Sequence, residues 1–177
     1  MKAYGQGVRI HLRTLVALAC SAWLAVAAYG VGQPTVHVEP LDSEGACRIA
    51  EATQTSVVRN YLQAWQSMAA AFEQNSASAL DADFVGVAKQ KLADTVHQQQ
   101  ELGLKSVYRD QAHDLKLSFC SPEGMSVELV DTVDYDLSIQ NHDQRQAPQH
   151  VRSRYVAVLT PTETRWKVRV LQAEPTQ

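Results

Sequence analysis

Met125 to Ile139 reads M-S-V-E-L-V-D-T-V-D-Y-D-L-S-I, with Val127, Leu129, Val133, Tyr135, Leu137 and Ile139 on odd positions and mostly polar groups between them. Asp131 alone interrupts the apolar side. Successive side chains leave a strand in opposite directions, so alternation over this length predicts one long strand with one buried face. Amphipathic helices must cover that face, which predicts an α+β domain of helices on a sheet rather than a sandwich.

The covering elements precede the strand. Ile49, Thr53, Val57, Tyr61, Trp65, Met68 and Phe72 recur at three- and four-residue intervals and predict a helix of about seven turns, with Asp42 or Ser43 as its cap. Asn75-Ser76-Ala77-Ser78 breaks it, and a short turn follows around Leu80. Asp81 or Asp83 can cap a second long helix bearing Phe84, Val87, Ala88, Leu92, Val96 and Leu102, which Gly103 stops. The period then switches to two. Leu115, Leu117 and Phe119 mark one strand, Ser121-Pro122-Glu123-Gly124 a turn, Val127–Ile139 the second strand, and 151–160 and 164–173 two more. The expectation is a curved, four-stranded antiparallel meander. Pairing Ile139 near Val151 sets Asp134 and Asp136 among Arg152 and Arg154 on the outer face, which reads as cross-strand pairing.

Ahead of this domain, Leu15 to Gly32 runs eighteen residues without a charge, preceded by Arg9, His11 and Arg13. That length suffices for a membrane-spanning helix. Basic residues before it place residues 1–13 in the cytoplasm and the domain outside the cell membrane. Cleavage after Ala25-Val26-Ala27, giving a secreted protein, is the rival; the apolar run continues to Val31, which favours a retained anchor over 14–32. Residues 33–43, with Pro34 and Pro40 and no period, are expected to be an extended tether, and 44–174 the folded domain.

Residues 33–177 hold 13 Lys plus Arg against 19 Asp plus Glu, a net charge of −6 with no basic block, which excludes nucleic-acid binding. Cys47 and Cys120 are either two buried thiols, the reading preferred on composition, or one disulfide in an oxidising compartment. Ligand spacings for a metal are absent, no cofactor motif occurs, and His113, His142 and His150 are too scattered to form a site.

Val57-Val58-Arg59-Asn60-Tyr61-Leu62-Gln63-Ala64-Trp65 resembles the opening helix, and Arg165-Trp166-Lys167-Val168-Arg169-Val170 the closing strand, of the nuclear transport factor two-like superfamily, the SnoaL and ketosteroid-isomerase-like cystatin cone. The resemblance covers about residues 44 to 173. It implies two long helices and a short one on a curved sheet. Its members include isomerases, dehydratases and polyketide cyclases, and also non-catalytic modules, some carried on one membrane helix as assembly subunits. No family active-site motif matches residue by residue, so no catalytic residue is carried over.

Asp131 is the candidate pocket carboxylate, because burial among aliphatic groups is how an isomerase-like site prepares a base or a neutral acid. Tyr61, Tyr135 and Tyr155 could donate hydroxyls to an anionic intermediate, and His97 could carry a proton. The competing expectation is structural: a strand bulge turns Asp131 to solvent, or its oxygens accept from a neighbouring hydroxyl or backbone amide, while the tyrosines are core and His97 is exposed beside Gln98-Gln99-Gln100. Three functions follow. The first is an anchored, extracytoplasmic domain that binds a protein partner or itself without turnover. The others are an isomerase- or dehydratase-like enzyme using Asp131 with a tyrosine, and a binder of a lipid or other small hydrophobic ligand. An open cavity reaching Asp131 favours the enzyme; a cone filled by Tyr61, Trp65 and Phe72 excludes it.

Overall fold

A computed structural model describes residues 32–41, 47–142 and 144–174. Strand β1 spans Thr35–Val38, helix α1 Glu51–Gln74, helix α2 Gly86–Glu101, and strands β2 to β6 span Leu104–Cys120, Val127–Asn141, Gln144–Arg145, Gln149–Pro161 and Trp166–Ala173. One turn of 3₁₀-helix, Ala77–Leu80, joins the helices. The helical stripe read from sequence is the buried one: Val57, Tyr61, Ala64, Trp65, Met68, Ala71 and Phe72 face the sheet. Asn75 ends α1 in the left-handed conformation (φ 52°), and Gly103, at φ 66°, follows α2.

The expected caps are corrected. Asp42 and Ser43 lie outside the described residues, and α1 starts after Ala50 with no side-chain cap. Asp83 does not cap α2; its carboxylate accepts from Ser67 Oγ (2.6 Å) and Arg165 Nη1 (2.8 Å). Val87 and Leu102, expected in the core, are exposed.

The sheet is mixed and six-stranded rather than a four-stranded antiparallel meander. Its order is β1-β2-β3-β5-β6, with the two-residue β4 paired to β3. The additional strands come from stretches of four and two residues, too short to establish a period. Thr35–Val38, expected in the tether, pairs parallel with Ala112–Leu115, and Glu39 N–H donates to Leu115 O at 2.8 Å. Backbone pairing needs no apolar alternation, so this short edge strand was invisible to pattern reading. Register between β3 and β5 is offset by four residues from the expectation: Leu137 faces Gln149 and Tyr135 faces Val151. An even offset keeps each side chain on its face. Asp134 therefore stays on the outer face and stands directly opposite Arg152, whose Nη1 lies 3.1 Å from its Oδ2.

Along β3, Val127, Leu129, Asp131, Val133 and Tyr135 are all buried as the alternation requires. Leu137 and Ile139 are only half-buried, while Ser138, opposite Val107, is buried. Two register shifts interrupt β2, at Asp110/Ala112 and at Leu117/Phe119. A bulge spends one extra residue, so side chains three apart, which diverge on a regular strand, come to share a face. The second shift sends Phe119 outward (45% exposed) and turns Cys120 inward, where it is bonded to Cys47. The preference for two free thiols is thereby corrected. The anchor segment lies outside the described residues apart from Gly32, and no described helix is long and apolar enough to cross a membrane.

Candidate functional site

Asp131 sits at the middle of β3, fully buried, opposite Leu115 on β2 and Tyr155 on β5. No bulge turns it outward. Its Oδ2 accepts from Tyr61 Oη on α1 at 2.9 Å and meets Nδ1 of His113 on β2 at 2.7 Å. Its Oδ1 has no hydrogen-bond partner among the described residues. A buried carboxylate with one oxygen unsatisfied is costly, and such groups mark either an internal water or a functional pocket.

His113 is the residue that sequence reading missed. It stands in the middle of β2, not at a strand end. Alternation back from Leu117 and Leu115 puts His113 on the inner face, but the apolar pattern begins only at Leu115; the first bulge then adds Asp110, opposite Tyr135, which is three residues from His113 yet also faces α1. His113 Nε2 lies 3.9 Å from Asp110 Oδ2, and Asp110 Oδ1 accepts from Trp65 Nε1 at 2.5 Å. Burial by itself lowers the His113 pKa, but the carboxylates of Asp110 and Asp131 outweigh it and raise the pKa to about 9. The ring is therefore an imidazolium at neutral pH, clamped between two carboxylates. Burial, with Asp131 beside it, pushes the Tyr61 phenol well above its ordinary value and keeps it a donor.

Aromatic rings fill the space around this cluster. Trp65 packs edge-on against His113, Tyr135 and Tyr155 at centroid distances of 5.5, 6.1 and 5.2 Å. Tyr135 and Tyr155 bring their hydroxyls to 3.5 Å of each other. Burial raises the pKa of Tyr108 to about 12 and also raises that of Tyr135. Tyr61, Tyr135 and Tyr155 thus join Asp131 in one cluster, while His97 does not: it is exposed on α2. Three cavities, of about 590, 270 and 210 Å³, do not have Asp131 in their walls. The largest runs along the outer side of α1, between Val38, Val58 and Leu62 and a rim of glutamines. The described residues contain no group of three or more His, Cys, Asp or Glu placed to hold a metal ion.

No family model and no curated protein matches this chain. Solved structures are similar in fold. The intermembrane space region of the chloroplast protein ARC6 superposes with a TM-score of 0.58 at 15% identity, over 73% of this chain and 100% of that one. A scytalone-dehydratase-like protein from Novosphingobium aromaticivorans superposes with a TM-score of 0.52 at 11% identity, over 72% and 89%. At such identities the likeness concerns fold alone, an α+β arrangement of helices against a sheet.

Proposed function

We propose that this chain is an extracytoplasmic binding or assembly domain, held at a membrane by its N-terminal segment, which engages a protein partner or a second copy and turns over no substrate. The observation that carries this reading is the filled cone. Tyr61 and Trp65 are each 1% exposed, Phe72 is buried beside them, and Asp131 has no exposure at all. Asp131 lines none of the three cavities, and a base that substrate does not touch has nothing to act on. The Cys47–Cys120 bond supports an oxidising compartment, where such bridges persist. The uncharged run Leu15–Gly32 behind Arg9 and Arg13 supports the anchor.

Photo-crosslinking in intact membranes tests it. A specific neighbour or a dimer is the expected product, and a monomer with no neighbour contradicts the proposal. The isomerase- or dehydratase-like alternative has one observation in its favour, the unpartnered Asp131 Oδ1. It requires the aromatic packing over Asp131 to open, and turnover of an enolisable ketone that Asp131→Asn abolishes would establish it.

A further inference from the structure

The cavity of about 210 Å³ lies between the N-terminal strand, α1 and the bulged part of β2, with Gln33, Val36, Leu62, Gln66, Asp110 and His113 in its wall. Its polar groups are already half committed. His113 Nδ1 is taken by Asp131 and Asp110 Oδ1 by Trp65 Nε1, which leaves His113 Nε2–H as a donor and Asp110 Oδ2 as an acceptor. These two stand 3.9 Å apart, too far for a hydrogen bond to each other. They are near enough for one intervening atom to reach both at about 2.8 Å.

The chemistry of that atom is narrow. An ammonium group satisfies Asp110 and leaves the imidazolium N–H without an acceptor. An anionic oxygen accepts from the imidazolium and then confronts Asp110, beside a second carboxylate, Asp131. A hydroxyl accepts from one and donates to the other. Gln33 and Gln66 each add an amide able to do the same for neighbouring hydroxyls, while Leu62 and Val36 offer apolar surface to a carbon face. The volume falls below the roughly 300 Å³ at which drug-sized sites begin.

We propose that this cavity binds a small neutral polyhydroxylated molecule, no larger than a monosaccharide, with one hydroxyl bridging His113 Nε2 and Asp110 Oδ2. The inference goes beyond the docking reading and does not depend on it. The full chain, labelled in its histidine rings, is titrated at neutral pH with D-glucose, myo-inositol and glycerol, with sodium acetate and methylammonium chloride as charged controls. The His113 ring signal is expected to shift saturably with at least one polyol and with neither ion. Gln66→Leu, at an exposed position, is expected to weaken that binding several-fold, and Asp110→Asn about tenfold. Should Asp110→Asn not fold, Gln66→Leu decides. Absence of saturation with every polyol up to about 100 mM, saturation with acetate or methylammonium instead, or unchanged affinity in Gln66→Leu overturns the proposal.

Discussion

His113, Asp131 and Tyr61 come from three elements and meet with their side chains almost wholly buried, so their interactions are strong and their desolvation is expensive. The balance is readable from pH. The His113 pKa is raised in the folded state, from an ordinary 6.5 to about 9, so its contribution is complete below pH 6.5 and is lost as pH rises through 9. Urea unfolding at intervals from pH 6 to pH 9.5 is expected to show stability falling by on the order of 3 kcal/mol across that window. In His113→Gln the slope should vanish; a slope that survives the substitution contradicts the assignment. Tyrosine ionisation acts separately, above its ordinary value of 10, because those pKa values are raised too. Tyr61→Phe removes one of the two bonds to Asp131 Oδ2 and leaves the other, so a loss of about 1 to 2 kcal/mol is expected by the same unfolding assay. No measurable loss would mean that the hydroxyl does not donate to that carboxylate.

Among the elements, β2 determines where the polar groups go. Each of its two register shifts turns a pair of residues three apart onto the inner face: Asp110 with His113, and Leu117 with Cys120. Pattern reading assumes that faces alternate without interruption, so it carried Phe119 inward and left Asp110 out of the site. The strand β3, which has no shift of its own in its pairing with β5, was legible throughout its central part, including Asp131. The α1 stripe was legible for the same reason, since a 24-residue helix repeats its pattern many times. His113, the partner of Asp131, was missed because the apolar pattern of β2 begins only at Leu115, two residues further along the same face. The second shift also creates the bridge from the chain just before α1 to the end of β2. Cys47 and Cys120 are 73 positions apart, and closing a loop of that length stabilises by about 4 kcal/mol in the loop-entropy account, with measured values commonly lower. Cys47→Ser with Cys120→Ser is expected to lower unfolding stability by about 2 to 4 kcal/mol while far-UV circular dichroism stays the same. Equal stability of the double variant and the oxidised protein would show that the bond is not formed.

At the scale of the whole molecule, the cone is a sheet whose inner face is closed by α1, and the closure is made of large side chains. Trp65, Tyr61, Phe84, Leu80, Leu115, Leu129 and Leu159 are among the bulkiest fully buried residues. Each such aliphatic or aromatic side chain contributes roughly 1.5 to 3 kcal/mol by leaving water, so hollowing the cone for a ligand would sacrifice much of the core. The four-strand expectation failed at the edges. Edge strands such as Thr35–Val38 are held by backbone bonds and bury little, and that leaves no trace in an apolar period. Whether a cone of this fold is hollow depends on side-chain volume at a few positions, and the α1 sequence did name three of them in Tyr61, Trp65 and Phe72. Solvent paramagnetic broadening of side-chain NMR signals tests the filled cone most directly. With a soluble nitroxide, the Tyr61 and Trp65 ring signals should stay sharp while the exposed His97 ring broadens. Broadening of Tyr61 and Trp65 to the extent seen for His97 would mean that solvent reaches Asp131, and the reading of this protein as a binding domain without turnover would fail.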